Sequence, residues 1–593
     1  MKKSAGCALK KNDLFELHIE ALGNEGEGIG RLDGFTFFVR DAVPGDIIRA
    51  RVLKLKKNYG YARVEQLLTP SSDRVAPRCP AAGPCGGCQL QHLSYEKQLE
   101  YKHNKLRDCL ERIGGVQNVK LEPMIGMDEP FFYRNKAQFP VGRTRDGRPA
   151  IGFYAGRTHS IIETERCYIQ APVNEALVAA VREYLIESGA QPYDENTHTG
   201  LVRHVLTRVG FATGEIMVCM VINGTELPQA ELLRQKLECA VERWNERSHG
   251  ETAETKVLGA AAERSAGIPA AEEAGWEDCG GMSAELGRYA PKPAGNSVGR
   301  GNGGAAFAER YTKPPAGYAD TGESGGAVFA EQDTKVPADR AEVTTYRLAS
   351  FCLNINTEKT NRILGSGVVP LYGEPYITDY IGPICYRISP LSFYQVNPRQ
   401  TRRLYELALE YADLKGDETV WDLYCGIGTI SLFLAQRAKM VYGVEIVPQA
   451  IEDARKNAEL NGITNAEFFV GAAEEVLPQQ YEKSGGGMRA DVVVVDPPRK
   501  GCDEALLQTI AAMQPERVVY VSCDPATLAR DVKFLGENGY EFVKARGVDQ
   551  FGQGGHVESV CLLSNRKADS HIKLSLDMDE YYDIMDKEKA EKK

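Results

Sequence analysis

The chain holds 593 residues, 43% of them apolar and 26% charged, with 71 Lys and Arg against 82 Asp and Glu. That length implies about three to five domains, since one domain commonly takes ~100–200 residues, and the composition is ordinary for a globular protein. A net charge of −11 excludes a uniformly basic nucleic-acid coat, yet it leaves room for a local basic groove.

No window reaches ~18 unbroken apolar residues, so no membrane span is expected. The opening stretch MKKSAGCALKKNDLFEL has lysines but no apolar core of signal-peptide length, which points to a cytoplasmic protein. The fifteen cysteines are therefore expected as reduced thiols, metal ligands or catalysts, not as a disulfide framework.

Residues 12–70 predict a small β-barrel. LFELHIEALG, FTFFVRDAV, DIIRARVLKLKKN and GYARVEQLL alternate β-branched or aromatic residues with polar ones, and the glycines of GNEGEGIGRLDG suit tight turns. Residues 1–66 hold 12 Lys and Arg against 9 Asp and Glu, with Lys54, Lys56 and Lys57 the densest cluster. That cluster is either a solvated strand edge or a phosphate-contacting face.

The next segment, RCPAAGPCGGCQL, spaces Cys79, Cys85 and Cys88 closely around a Gly-Gly pair. Three cysteines within ten residues of an intracellular chain signal a metal centre, and a tetrathiolate site needs one more ligand. Cys167 in RCYIQ and Cys109 on the helix-like YKHNKLRDCLERI both compete for that place. Spacing alone does not choose between zinc and an iron–sulfur cluster. FFYRNKAQFPVG places Arg134 and Lys136 among aromatic residues, as an RNA-contacting face or a solvated edge.

Residues 248–345 are rich in Gly, Ala, Pro and Glu and carry a degenerate repeat starting at Gly280, Gly303 and Gly325. Each unit has too little apolar surface to fold alone, so this reads as a disordered, low-complexity insertion. Residues 250–345 hold 9 Lys and Arg against 15 Asp and Glu, so the insertion supplies about half of the chain's negative charge.

From about 386 to 565 strands alternate with helices, the pattern of a doubly wound, mainly parallel sheet. The last two apolar strands lack a helix between them, so one is expected to pair antiparallel. Ligands of such sheets bind beyond the carboxyl ends of the strands. The first strand ends DLYCGIGT, with Gly426 and Gly428 but no third glycine of a dinucleotide fingerprint. The second ends in Glu445, placed to accept both ribose hydroxyls of an adenosine group. This truncated pattern favours S-adenosylmethionine. The fourth strand ends VDPPRKG, setting Asp496 at the sheet edge. The fifth runs RVVYVSCDPATLARD, with Cys523 at its end. By itself Cys523 reads as a buried strand residue, since free cysteine is among the most buried types.

These motifs and their order resemble the RNA uracil-5-methyltransferases, most closely the branch that modifies 23S ribosomal RNA. The resemblance spans nearly everything except the insertion and the tail 566–593. It implies an α/β fold: a Rossmann-like S-adenosylmethionine-dependent methyltransferase domain at 386–565, a small OB-like TRAM barrel at 12–70, and an α+β central domain at 75–247 plus 346–385. By the same resemblance Cys79, Cys85, Cys88 and Cys167 are ligands of a [4Fe–4S] cluster. SFYQVN makes Gln395 a cofactor ligand beside Tyr424, Glu445 and Asp496. VSCDPATLARD makes Cys523 the nucleophile, and HVESV makes Glu558 the base. Between Asp549 and His556 the chain reads QFGQGG, where the family usually has a Pro and a Thr.

The chemistry suits these residue types. Uracil carbon 5 is a poor nucleophile until a thiolate adds to carbon 6, and a carboxylate must then remove the carbon 5 proton. Pro525 fits the first turn of a following helix, whose free amides are expected to favour a thiolate at Cys523. The expected partner is RNA, most closely 23S rRNA, acted on by a monomer with no membrane association. Transfer RNA is the alternative substrate, and a non-catalytic RNA-binding factor is the alternative of another class.

Overall fold

The computed structural model describes residues 9–156, 158–259, 345–485 and 488–566, the side chains of 248–259 excepted. Of the insertion expected to be disordered at 248–345, residues 248–259 continue a helix that runs Ala230–Gly259, and residues 260–344, like the tail after 566, lie outside the described residues. Among the described residues no helix is long and apolar enough to cross a membrane.

The N-terminal strands β1 (Leu14–Leu22), β2 (Gly28–Leu32), β3 (Phe35–Arg40), β4 (Ile47–Leu55) and β5 (Tyr59–Thr69) close into a barrel in the order β1-β2-β3-β5-β4. Alternating residues such as Leu17, Ile19, Phe37, Val39, Ile48 and Ala50 fill its interior. The sequence predicts four strands; the fifth, β2, lies inside the glycine-rich stretch read as a turn. Its glycines serve close approach: a Cβ on Gly30 would sit 2.4 Å from the His18 carbonyl oxygen.

Helix α1 (Tyr95–Arg112) and strand β6 (Leu121–Ile125) follow. Both pack with the C-terminal layer, within the span 75–247 expected as a central domain. Leu106 and Leu110 of α1 are fully buried among Ala529, Val532 and Leu535. Burying each such leucine stabilises the docking by roughly 1.5–3 kcal/mol. Strand β6 joins the edge of the C-terminal sheet, as shown below.

The central sheet comprises β7 (Lys136–Arg143), β8 (Pro149–Tyr154), β9 (Ile161–Glu163), β10 (Val202–Val209), β11 (Glu215–Ile222), β12 (Arg347–Ile355) and β13 (Gly367–Gly373). Their order is β13-β12-β11-β10-β7-β8-β9, with only β11 and β12 parallel. One face packs on α2 (Asn174–Ser188) and α3 (Ala230–Gly259) through Leu177, Val181, Leu233 and Leu237. The two flanks of the inserted segment are joined: the Asn245 side chain donates to the Tyr346 carbonyl and accepts from its amide, both at 2.8 Å. The other face, with Leu206, Met217, Cys219 and Cys352, shares a core with the hairpin β14 (Ile377–Ile381) and β15 (Ile384–Ile388) and the C-terminal layer.

That layer contains α4 (Pro398–Ala412), β16 (Thr419–Leu423), α5 (Thr429–Leu434), β17 (Met440–Glu445), α6 (Pro448–Leu460), β18 (Ala466–Val470), α7 (Ala473–Lys483), β19 (Val492–Val495), α8 (Glu504–Met513), β20 (Arg517–Ser522), α9 (Pro525–Glu537), β21 (Tyr540–Val548) and β22 (Glu558–Asn565). The sheet order is β18-β17-β16-β19-β20-β22-β21-β6. Strands β18 to β20 run parallel, and β22 runs antiparallel between β20 and β21. The expected antiparallel strand is therefore present. Strand β19 is four buried valines, the composition of a central parallel strand covered on both faces. Helix α7, with Pro478 inside it, escaped the sequence reading because proline is taken as a helix breaker.

Candidate active site

Five consecutive strands each bring one predicted residue to the same sheet edge. In the order β17, β16, β19, β20 and β22 these are Glu445, Tyr424, Asp496, Cys523 and Glu558. Leu423 is register partner of both Val444 and Val495, so Tyr424 follows one residue beyond, between Glu445 and Asp496. The amides of Tyr424 and Cys425 both donate to the Val444 carbonyl at 3.0 Å, while the Asp496 amide donates to Leu423 at 3.3 Å.

The turn after β16 has left-handed backbone at Gly426 (φ 56°) and Gly428 (φ 81°), and also at Tyr424 (φ 69°). A Cβ on Gly426 would meet nothing within 4 Å, so the turn faces open space. Beneath it Asp422 is fully buried. Ser431 donates to its Oδ2 at 2.5 Å, and its Oδ1 has no partner among the described residues. Burial pushes the Asp422 carboxyl up to about 7, the Ser431 hydrogen bond opposing and Asp496 and Glu445 adding to the rise. An open glycine turn, an orphaned carboxylate oxygen and a strand-ending acid fit an adenosine-bearing cofactor.

Gln395 is buried just before α4, whose N-cap Asn397 accepts the Gln400 amide at 3.3 Å. The Gln395 carbonyl accepts from the Asn135 side chain at 3.1 Å, and Asn397 donates to the Gln550 carbonyl at 3.2 Å. The predicted cofactor motif is thereby tied to the loop that precedes Glu558. Phe393, two residues before Gln395, is 72% exposed, a feature the sequence reading did not single out.

Cys523 and Glu558 share one electrostatic environment. Burial pushes the Cys523 thiol up to about 12, with Glu558 and Asp496 adding to the rise and Arg499 opposing it. Burial likewise raises Glu558 to about 8, helped by Asp496 and opposed by Arg499, and raises Asp496 to about 6. The expectation of free helix amides does not hold. Asp524 caps α9, its Oδ1 accepting from the amides of Ala526 at 2.9 Å and Thr527 at 3.3 Å. The cation beside the thiol is Arg499 of VDPPRKG instead, and it also stands 3.5 Å from His556 Nε2. The motif signals its acid in sequence but gives no sign of its arginine.

Cys79, Cys85, Cys88 and Cys167 line one cavity of about 250 Å³, with Arg134 and Tyr168 also in its wall. Cys109, on α1, packs instead against the C-terminal layer, which removes it as a competitor. Burial raises Cys88 to about 12 and Cys167 to about 11, and the neighbouring thiols add to each. Four thiols on one cavity suit a thiolate-bound centre in donor chemistry. Among the described residues, however, no group of three or more His, Cys, Asp or Glu side chains stands close enough to hold a metal ion.

Arg134 stands in the wall of this cavity, and Lys136 follows it two residues on, at the start of β7. Lys136 is register partner of Arg208, which is 2% exposed and donates to the Ser392 carbonyl. Burial lowers Lys136 to about 7, and the two nearest cations, Arg208 and Arg134, lower it further. Among the described residues the Nε atoms of Arg134 and Arg208 have no partner. Three basic side chains crowd beside the Gln395 segment, with Arg208 buried and Lys136 brought to about half protonation near neutral pH. Arg208, in the apolar-looking run LVRHVLTRV, carried no sequence signal of its own.

The sheet and its occupied edge define an S-adenosylmethionine-dependent methyltransferase with an N-terminal TRAM barrel. The family model for tRNA (uracil-5-)-methyltransferase matches residues 381–566, and the TRAM domain model matches 10–64. The chain is 42% identical over 555 residues to an uncharacterized RNA methyltransferase of Halalkalibacterium halodurans, covering 94% of this chain and 98% of that one. It is 39% identical over 564 residues to an uncharacterized RNA methyltransferase of Clostridium tetani, covering 95% and 98%. Among solved structures it is similar to the Pyrococcus abyssi tRNA (uracil-54, C5)-methyltransferase in complex with S-adenosyl-L-homocysteine. Identity there is 23% and the TM-score 0.60, over 93% of this chain and all of that one. The chain belongs to the RNA uracil-5-methyltransferase family.

Proposed function

We propose that the protein methylates carbon 5 of a uracil in 23S ribosomal RNA through a covalent adduct between Cys523 and carbon 6. The observation that carries this reading is the row of Glu445, Tyr424, Asp496, Cys523 and Glu558 along five neighbouring strands. When bound, S-adenosylmethionine supplies the methyl group from its sulfonium. Glu445 holds the ribose hydroxyls, Tyr424 and Gln395 border the cofactor, and Asp496 lies between cofactor and uracil. Cys523 adds as the thiolate, favoured by Arg499 once substrate is seated. Glu558 removes the carbon 5 proton, and the cysteine then leaves. The target base must leave its stack, and exposed Phe393 is a surface on which a displaced base can stack.

Cys79, Cys85, Cys88 and Cys167 would hold a [4Fe–4S] cluster; their placement around one cavity supports this reading. The protein would act as a cytoplasmic monomer. Transfer RNA is the second reading, and one observation favours it. The fold shared with a transfer-RNA enzyme extends over 93% of this chain, so the barrel and cysteine segment do not separate the two substrates. A non-catalytic RNA-binding role is disfavoured, because such a protein needs neither Cys523 nor Glu558. Mass-spectrometric mapping of 5-methyluridine in ribosomal and transfer RNA, with and without the gene, tests the assignment. Loss confined to 23S rRNA supports it; loss confined to tRNA shifts it to the second reading.

A further inference from the structure

Residues 549–557 form the hairpin loop between β21 and β22, whose flanks Val548 and Glu558 are register partners. Glu558 is the first residue of β22, so its placement follows from how this loop is held. A connection between antiparallel neighbours needs only about two to five residues. This longer one lies over the N-terminal segment, and its backbone carbonyls are taken inside the protein.

Lys102 Nζ donates to the Phe551 carbonyl at 2.9 Å, the Tyr133 hydroxyl to Gly552 at 2.9 Å, and Lys105 Nζ to Gly555 at 3.0 Å. At the centre stands Gln553, 3% exposed and left-handed at φ 68°, a conformation uncommon for a residue with a Cβ. Its carbonyl accepts from the amides of Gln89 at 2.9 Å and Leu90 at 3.0 Å. Its amide donates to Gln98 Oε1 at 3.1 Å, and its Oε1 accepts from Gln98 Nε2 at 3.1 Å. Gln98, 1% exposed, also donates to the carbonyls of Leu90 and Leu93. Gln89 directly follows Cys88 in the chain. The cysteine segment and the loop ahead of the base are therefore joined by direct hydrogen bonds.

We propose that Gln553, locked by Gln98 and by the Gln89 and Leu90 amides, is a positioning residue that sets Glu558 for proton removal. The segment carrying Cys79, Cys85 and Cys88 would thereby govern the resolution of the adduct, not the methyl transfer. This rests on the reading of Glu558 as the base. In that step the carbon 5–hydrogen bond breaks and its proton passes to the Glu558 carboxylate. Its electron pair forms the carbon 5–carbon 6 double bond, and the sulfur–carbon 6 bond breaks, returning its pair to Cys523. A displaced Glu558 slows only this step and leaves methylated RNA attached to the protein.

The test uses the full chain with S-adenosylmethionine and an unmodified ribosomal RNA transcript. It measures turnover, methyl incorporation and the fraction of protein–RNA adduct surviving denaturation. Gln98→Met is expected to lower kcat at least about tenfold and raise the adduct fraction, since misplacement of ~1 Å can cost a hundredfold. Its kcat/KM for RNA should stay within about twofold, KM falling with kcat, because the slowed step follows methyl transfer. Gln553→Ala, which removes only the side-chain arm, should raise the adduct fraction in the same direction; it decides the matter if Gln98→Met does not fold. Wild-type turnover with no added adduct, or joint loss of methyl incorporation and adduct, overturns the proposal. Glu558→Gln separates the two claims. If it accumulates adduct and the glutamine variants do not, only the positioning role falls. If Glu558→Gln accumulates none, the base assignment falls and takes this proposal with it.

Discussion

Ser522 and Ser559 are register partners across β20 and β22, and the Ser559 hydroxyl lies 3.4 Å from the Ser522 carbonyl. In an antiparallel pair the next residues out are Cys523 and Glu558. Cys523 and Glu558, the proposed nucleophile and base, thus stand opposite each other because one strand ends where the other begins. Their common neighbours, Asp496 and Arg499, come from the loop after β19, the strand on the other side of β20.

The pH dependence follows from those neighbours. Cys523 and Glu558 must both be deprotonated to act, and both are held above their ordinary ranges, at about 12 and about 8. We expect kcat with RNA to rise as pH climbs through about 8, where Glu558 loses its proton. Arg499→Leu removes the cation that favours both charged forms, so the rising limb should move to higher pH by about one unit. A profile flat from pH 6 to 9 would contradict this electrostatic account.

Stability shows the opposite sign for the same carboxyl. The folded state raises Glu558 from 4.5 to about 8, so it binds a proton that the unfolded chain has already lost. The stabilisation is complete below about 4.5 and disappears as pH rises through about 8. Glu558→Gln should therefore raise Tm relative to wild type at pH 9 and leave it nearly unchanged at pH 5. An equal effect at both values would be inconsistent with a protonated, buried Glu558.

Lys102 and Asp549 form a fully buried ion pair at 2.5 Å, and the Tyr95 hydroxyl donates to the same carboxylate at 2.7 Å. Removing one partner strands the other charge. Lys102→Met should lower stability by about 3–5 kcal/mol, as for other broken buried pairs. The double variant Lys102→Met with Asp549→Leu should recover part of that loss. Chemical denaturation of the single and double variants checks this, and additive losses would argue against coupling.

The Lys136 variant addresses the crowded cations. Lys136→Met should weaken RNA binding and reduce the slope of log affinity against log salt, by about one at pH 6 and by less at pH 8, leaving cofactor affinity unchanged. Unchanged RNA affinity at several salt concentrations would make the cluster structural.

The metal assignment has its own readout. Protein purified without oxygen should carry about four irons, bound through cysteine thiolates. Cys88→Ala should lose that iron without first losing cofactor binding. Stoichiometric zinc and no iron would replace the cluster with a different centre.

Much of the site was legible because its residues terminate strands. Glu445, Tyr424, Asp496 and Cys523 each end an apolar run, and a parallel sheet gathers such ends on one edge. Long-range pairings left no local trace. Nothing in LEPMI indicates that β6 pairs with β21, more than 400 positions away. Strand β2 was hidden because Gly28 and Gly30 serve close packing there, and helix α7 because of Pro478. Arg499, Arg208 and Gln553 act through side-chain or backbone partners distant in sequence, so neither spacing nor periodicity reveals them.

The central claim is the covalent role of Cys523, and RNA containing 5-fluorouridine tests it most directly. Fluorine at carbon 5 gives Glu558 no proton to remove, so the adduct cannot resolve. After incubation with S-adenosylmethionine, digestion and mass spectrometry should find methylated 5-fluorouridine attached to Cys523, and none with Cys523→Ala. RNA methylated at normal rate with no adduct on Cys523 would contradict the account.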